Sequence, residues 1–330
     1  MVETGPGADG SNGSKADMDA GQLAAAKAFA RLLMTSRSSI GRHSRQQGPK
    51  SGEKDVCRWL AYSGSPLRLE DLLYKPEHSL IDQSLHARLG VETTNGDGFG
   101  VAWYGDEPFP AVYKGVDPAW NDRNLRELSR HVRSGLIFAH IRASTGTPVQ
   151  QSNCHPFRHD RWLWMHNGQI AHFRDLKREL ILAIDPGLYA GLQGSTDTEV
   201  FFFLALTFGL EEDPPAAVER AVGFIESVAR AHSIEAPVRM SVALTEGDAI
   251  WAFRYSTEGE PPSLYFSTKV ETLREMYPNV DVFQQLSPES RLVVSEPLGS
   301  RVGAWNEVPR SHYGIVHQGQ DALRPFNPRS

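Results

Sequence analysis

Cysteine is scarce in this sequence. The two cysteines, Cys57 and Cys154, are too few for a disulfide framework, and no cysteine or histidine group has zinc-ligand spacing. This usage favours a reducing, cytoplasmic setting and predicts no metal site. Basic residues are also not in excess: the net charge of −6 argues against nucleic acid as a general partner.

Long apolar runs and nucleotide-binding motifs are missing as well. The longest apolar stretches are short, such as VFFFLAL at 200–206, so none can span a bilayer. The N-terminus lacks the basic start and apolar middle of a secretory signal. No Gly-x-Gly-x-x-Gly follows a strand and no phosphate-binding loop is present, so we expect no cofactor.

The amino-acid composition of the chain changes just before Cys57. Residues 1–55 are rich in Gly, Ser and Asp, with one amphipathic stretch at 19–37, and we interpret them as a disordered leader or propeptide. Residues 56–330 have the patterning of a single globular domain. In SGEKDVCRWLAYSG, at 51–64, the cysteine stands where the polar leader meets the first apolar run. It is either a buried thiol or a nucleophile placed at a chain start.

Apolar spacing predicts strands, then helices, then strands again. This order favours packed layers of mixed type, an α+β fold, over a βαβ repeat. The strand at 161–170 is expected to end in a turn at Asn167-Gly168. The other expected elements are strands at 58–64, 98–105, 111–115, 135–144, 263–268 and 290–298, helices at 124–133, 173–184, 197–209 and 215–232, and a hairpin at 238–256.

Four polar positions stand at the edges of apolar strands: Cys57, Arg142, the pair Asn167-Gly168, and Asp197. Each has a common structural explanation: a core thiol, a surface arginine, a turn, or a helix N-cap. Together they suit the cleavage of a carboxamide. Cysteine supplies a nucleophile, and as first residue its own α-amine, with a pKa of about 8, can act as base.

The remaining groups suit an α-amino-acid substrate. The Asn167 side-chain amide and the Gly168 N–H can hold an oxyanion. Arg142 offers a two-pronged grip on a carboxylate, and Asp197 a counter-charge for an ammonium group.

Six segments, in order, resemble the class II, N-terminal-nucleophile glutamine amidotransferases of the stand-alone glutaminase-domain type. They are CRWLAYSG, NGDGFGVAWY, AHIRAST, NCHPF, HNGQI and STDTE, and the resemblance runs from about residue 56 to 309. It implies a four-layer αββα sandwich of two antiparallel sheets between helices. It also implies the roles above for Cys57, Arg142, Asn167, Gly168 and Asp197, and a further carboxylate contact from Thr145.

Two features depart from the family. Here RASTG follows the strand where members often have Trp-Ala-Thr-His-Gly, and 56 residues precede Cys57 where members begin at Met-Cys or lose a propeptide. Either the true start is Val56, encoded by an initiating GTG, or residues 1–56 are removed. We favour the first. If neither happens, Cys57 lacks its base.

The expected function is hydrolysis of the glutamine side-chain amide through a thioester on Cys57, releasing ammonia to a separate acceptor such as a synthase subunit. The alternatives are a free-standing γ-glutamyl amide hydrolase, acting on an ergothioneine- or glutathione-type substrate, and a non-catalytic amino-acid-binding scaffold. No nucleic-acid or membrane partner is expected. A protease built on Cys154-His155 is set aside because neighbours on a strand face opposite ways.

Overall fold

The structure is a computed structural model that describes residues 57–85, 95–144 and 146–328. The expected leader at 1–55 with its amphipathic stretch, the expected start at Val56 and the candidate Thr145 lie outside the described residues. The boundary at 55/56 therefore stays a prediction.

The described residues form two antiparallel sheets. The first has the strand order β11-β9-β10-β1-β4-β2-β3 and the second β13-β12-β8-β7-β6-β5. The strands are β1 (Arg58–Arg68), β2 (Phe99–Trp103), β3 (Ala111–Gly115), β4 (Arg133–Ile141), β5 (Phe157–His159), β6 (Trp162–Ile170), β7 (Val238–Thr245), β8 (Ala249–Ser256), β9 (Tyr265–Ser267), β10 (Arg291–Val294), β11 (Trp305–Glu307), β12 (His312–His317) and β13 (Gln320–Pro325).

Helices cover the outer face of each sheet. One group packs on the first sheet: α1 (Leu69–Leu73), α2 (Leu80–Leu85), α3 (Arg123–His131), α7 (Val270–Met276) and α8 (Asp281–Gln285). The other packs on the second sheet: α4 (Phe173–Leu182), α5 (Asp197–Thr207) and α6 (Pro214–Ala231). A third apolar cluster fills the space between the sheets. The predicted αββα sandwich is confirmed.

Strand β1 carries apolar side chains on both of its faces. Leu60 and Tyr62 point into the helix-covered cluster, whereas Trp59 and Ala61 point between the sheets. Because successive side chains of a strand alternate between faces, a central strand in a four-layer fold is buried on both faces. The run WLAY after Cys57 is therefore a consequence of burial on two sides.

Helix α5 explains the longest apolar run of the sequence. Every side chain from Val200 to Leu206 is buried, because the helix packs among its neighbours α4 and α6 and strand β6. An apolar stretch of this length is a core helix. No helix among the described residues is long and apolar enough to cross a membrane.

Some expectations need correction. The predicted turn at Asn167-Gly168 is wrong, because β6 continues through both residues to Ile170 and pairs with β7. The strand expected at 290–298 ends at Val294. The elements that were not predicted are helices α2, α7 and α8 and strands β5, β11, β12 and β13. The three missed helices are short, so the sequence offers at most two turns of periodicity to detect.

Candidate functional site

Cys57 stands immediately before β1 and is half-buried. Antiparallel pairing sets Arg58 opposite Ile141, so the segment after β4 runs beside Cys57. The Sγ atom lies 3.3 Å from both the carbonyl oxygen and the backbone nitrogen of Ala143. The thiol is thus tied to the residue that directly follows Arg142.

Asn167 brings the second sheet to the same point. Its side chain is buried, and its Nδ2 donates to the carbonyl oxygen of Cys57 at 2.8 Å. The NH₂ group of an asparagine has two hydrogens, so one donor serves Cys57 and the second can serve another acceptor. Because Cys57 belongs to the first sheet and Asn167 to the second, the candidate site spans the gap between them.

Gly168 is required by close packing within β6. Its φ of +129° is disfavoured for residues with a side chain. A Cβ at this position would overlap the carbonyl group of Arg239 on the neighbouring strand. The Asn-Gly pair, which suggested a turn, therefore lies in mid-strand, where the backbone of the neighbouring strand β7 comes close to Gly168.

Arg142 is buried in a cage of loop groups. Its Nη1 lies 3.3 Å from the Asp97 carbonyl oxygen, and its Nη2 donates to Ser144 Oγ at 3.1 Å and to Thr147 Oγ1 at 2.5 Å. The carboxylate of Asp97 in turn accepts from the Ser144 backbone N–H at 2.7 Å. Asp97, which we did not predict as a site residue, thus joins the loop before β2 to the loop after β4.

Asp197 is the first residue of α5, and Thr196 is the N-cap, accepting from Glu199 N at 3.2 Å. One Asp197 carboxylate oxygen accepts from Ile170 N at 2.7 Å and the other from Thr198 N at 2.9 Å. Ile170 is the last residue of β6 and lies three residues after Asn167, so Asp197 is held beside the end of that strand. Each carboxylate oxygen retains a second lone pair that can face a cation.

Three buried histidines lie behind these groups. The rings of His140 and His155 are 4.1 Å apart, and His166 Nδ1 is 2.9 Å from Thr198 Oγ1. Burial lowers the pKa of His140 to about 3 and that of His155 well below its ordinary value. Burial also lowers the pKa of His166, against the opposing effect of the Asp197 carboxylate. The cluster is therefore uncharged near neutral pH.

The sequence contained a signal for this cluster that we did not use. Each histidine belongs to one of the quoted segments, AHIRAST, NCHPF or HNGQI.

Cys154 and His155 follow a 3₁₀ turn, Gln151–Asn153, and precede β5, so the expectation that they face opposite ways on a strand is wrong. Cys154 Sγ faces the carbonyl oxygens of Gly115 and Gln150, at 3.5 and 3.6 Å, and burial raises the pKa of this thiol. The His155 ring instead packs against His140 and Phe157. Their environments do not favour a thiolate–imidazolium pair.

Of the candidate substrate and catalytic groups, the structure brings Cys57 and Asn167 into direct contact. Arg142 is linked to Cys57 by its chain neighbour Ala143, whose backbone N–H donates to Cys57 Sγ. Asp197 is linked to β6 by the hydrogen bond that its carboxylate accepts from Ile170 N. Among the described residues, no group of three or more His, Cys, Asp or Glu side chains could hold a metal ion.

The layers match a known architecture. Two facing antiparallel sheets between helical layers form the four-layer αββα sandwich of the N-terminal-nucleophile hydrolase fold. A model of the class-II glutamine amidotransferases matches residues 77–327. The chain belongs to this family and is an amide-cleaving enzyme.

Individual relatives agree with this assignment. "Probable glutamine amidotransferase DUG3" of Saccharomyces cerevisiae is 36% identical, over 82% of this chain and 84% of its own length. A γ-glutamyl-hercynylcysteine sulfoxide hydrolase of Mycolicibacterium smegmatis is 28% identical, over 59% of this chain and 81% of its own. A glutamine aminotransferase class-II domain protein from Silicibacter pomeroyi superposes with a TM-score of 0.63 and 35% identity, covering 83% of this chain and 100% of that one.

Proposed function

We propose that this enzyme hydrolyses the side-chain amide of glutamine, or of a γ-glutamyl compound, through a thioester on Cys57. The observation that carries the proposal is the contact between the two sheets: Asn167 Nδ2 lies 2.8 Å from the Cys57 carbonyl oxygen. A half-buried thiol beside a buried amide donor is the arrangement that acyl transfer to sulfur requires.

The first half-reaction transfers the acyl group. The α-amine of Cys57, acting through a water molecule, accepts the thiol proton, and the thiolate attacks the Cδ carbon of the substrate amide. The second hydrogen of Asn167 Nδ2 and the Gly168 N–H stabilise the oxyanion. The proton held by the amine passes to the departing nitrogen, which leaves as ammonia or as an amine.

The second half-reaction consumes water. The same amine takes a proton from a water molecule, whose oxygen attacks the thioester carbonyl carbon. Glutamate leaves, and the proton returns to sulfur. No redox change occurs, and the residues named supply every proton transfer.

Three groups hold the substrate in this proposal. The guanidinium of Arg142 binds the α-carboxylate, with Thr145 as a second contact, and Asp197 binds the α-ammonium. The caging of Arg142 by Asp97, Ser144 and Thr147 supports this role, because it fixes the direction of the planar guanidinium before substrate arrives.

The mechanism requires a free α-amine on Cys57. We therefore propose that the active chain begins at Cys57, after initiation at Val56 and removal of the initiator or after loss of residues 1–56. Residues from 56 onward then constitute the amidotransferase domain. A chain that keeps residue 56 would be restricted to binding an amino acid.

The substrate divides the proposal into two versions. In the first, the substrate is free glutamine, and ammonia passes to an acceptor held by a separate synthase subunit. In the second, the enzyme is a free-standing γ-glutamyl amide hydrolase. The relative from Mycolicibacterium smegmatis, whose name specifies a γ-glutamyl substrate, favours the second version. Both versions suit a cytoplasmic enzyme.

The test combines mass and activity. The full gene is expressed in a native-like host, intact mass identifies the first residue, and hydrolysis of L-glutamine and of γ-glutamyl amides is measured. Cys57→Ala should abolish hydrolysis and the γ-glutamyl adduct, whereas Cys154→Ala, the matched control, should keep both. Equal activity of Cys57→Ala and wild type would overturn the proposal.

A further inference from the structure

The carbonyl oxygen of Cys57 accepts hydrogen bonds from two side chains, Asn167 and Arg58. Besides Asn167, Arg58 Nη1 donates to this oxygen at 2.9 Å. A carbonyl oxygen has two lone pairs, so the two donors satisfy it. Arg58 is only 3% exposed, which is unusual for a charged residue directly after a half-buried cysteine.

Arg58 is held in turn by a buried carboxylate. Its Nε lies 2.7 Å from Glu296 Oε2, and both side chains are almost fully buried. Glu296 follows β10, where Ser295 is bonded to both backbone groups of Trp59, so the carboxylate is fixed beside β1. Arg58 and Glu296 are 238 positions apart in the chain.

A histidine and an aspartate extend this pair outward. His78 Nε2 lies 2.5 Å from Glu296 Oε1, and His78 Nδ1 lies 2.9 Å from Asp82 Oδ2. The two ring nitrogens of His78 thus link the carboxylates of Glu296 and Asp82. Gln83 Nε2 donates to the His78 carbonyl oxygen at 3.0 Å.

We propose that Arg58, oriented by the buried row Glu296–His78–Asp82, is a positioning residue for the nucleophile Cys57. This rests on the proposed function of Cys57. Rotation of Cys57 about its backbone would move its amine, carbonyl and thiol together, and two donors on the carbonyl prevent that rotation. The row of Arg58, Glu296, His78 and Asp82 therefore fixes the orientation of Cys57 from the helix-covered side of the first sheet.

The same arrangement gives Arg58 an electrostatic effect. Nη1 lies 2.9 Å from the carbonyl oxygen, so it is within about 7 Å of the sulfur of the same residue. A positive charge there favours the thiolate. Charged or titratable groups of the candidate site also include Asp97 and Arg142 in the loops, His140 on β4, Asp197 on α5 and the α-amine proposed for Cys57. They are unchanged in the variants below.

Alkylation of Cys57 by iodoacetamide measures this effect without any substrate. In a Cys154→Ala background of the full chain Cys57 is the one remaining thiol. Arg58→Met should move the midpoint of the rate–pH profile upward by about half a unit or more. Glu296→Gln should move it downward, because the arginine charge loses its counter-charge. A purely structural role would not produce shifts of opposite sign.

Arg291→Met is the matched control. Arg291 is also a buried arginine of the first sheet with a carboxylate neighbour, Asp321, but it lies opposite Ser63, about 20 Å along β1 from Cys57. It should lower the melting temperature without shifting the midpoint. Arg58→Lys, which keeps the charge, should keep the midpoint close to that of wild type.

Turnover of L-glutamine separates this inference from the proposed function. Arg58→Met should lower kcat about tenfold or more with KM within about twofold, because positioning acts on the reacting groups. If single variants fold poorly, Arg58→Met/Glu296→Leu removes both charges and should show the same kcat loss. A wild type that hydrolyses neither L-glutamine nor a γ-glutamyl amide overturns the proposed function. An active wild type with Arg58→Met matching Arg291→Met in midpoint and kcat overturns this inference alone.

Discussion

Acidification should weaken the fold through the buried histidines. His140 and His155 are neutral in the folded protein because burial lowers the pKa of each, to about 3 for His140. In the unfolded chain a histidine has a pKa of about 6.5. The unfolded state therefore binds more protons below pH 6.5, so stability is complete above that value and falls as the pH drops toward the folded pKa.

The size of the effect follows from linkage. Between pH 7 and about pH 5.5, one histidine that protonates only when unfolded lowers the free energy of unfolding by about 1.2 kcal/mol. His140 and His155 together give about 2.5 kcal/mol, a large share of the stability of a typical domain. Glu199 and Glu246 act in the opposite direction, because burial raises the pKa of each carboxyl.

Urea unfolding at the two pH values isolates one histidine. His140→Gln removes a titrating group, so the variant should lose about 1.2 kcal/mol less than wild type on acidification, whatever its stability at pH 7. His131→Gln, at an exposed position of α3, is the matched control and should lose as much as wild type. Equal losses of free energy in His140→Gln and wild type would contradict a His140 that stays neutral in the folded protein.

The remaining predictions concern the candidate site. Asn167→Ala should lower kcat by about 100- to 1,000-fold through loss of an oxyanion donor; unchanged turnover of L-glutamine would exclude that role. Arg142→Ala should mainly raise KM, because a carboxylate grip acts on the ground and transition states alike, and a fall in kcat at constant KM would contradict it. Gly168→Ala should destabilise the protein by about 2 kcal/mol or more, because its Cβ would overlap Arg239 at a positive φ. Gly105→Ala, where a Cβ meets nothing within 4 Å, should leave the melting temperature nearly unchanged, and equal melting temperatures for the two variants would refute this account.

Much of the fold was predictable because its signals are local. The capping residues before position 200 predict a helix start, and the apolar run at 200–206 predicts a buried helix. Helix α5 begins at Asp197 as expected. Hairpins β2–β3 and β7–β8 join runs only a few residues apart, so their pairing follows from the turns between them. Local periodicity and short connections are properties of the chain itself.

The candidate residues were also visible in the sequence, but their arrangement was not. Cys57, Arg142, Asn167 and Asp197 each stand in a quoted segment. That Asn167 contacts the Cys57 carbonyl depends on how two separate sheets face each other. The same Asn-Gly pair suggested a turn, since nothing local reveals that β7 passes so close that only glycine fits.

Residue identity and spacing act over a few positions, so the sequence alone specifies the chemistry available and the layered type of fold. Which groups meet is set by long-range packing. Asp97 beside Arg142, the cluster of His140, His155 and His166, and Arg58 against Glu296 are contacts between segments far apart in the chain. Strand register and sheet packing minimise the free energy of the whole core, so such contacts follow from no single segment.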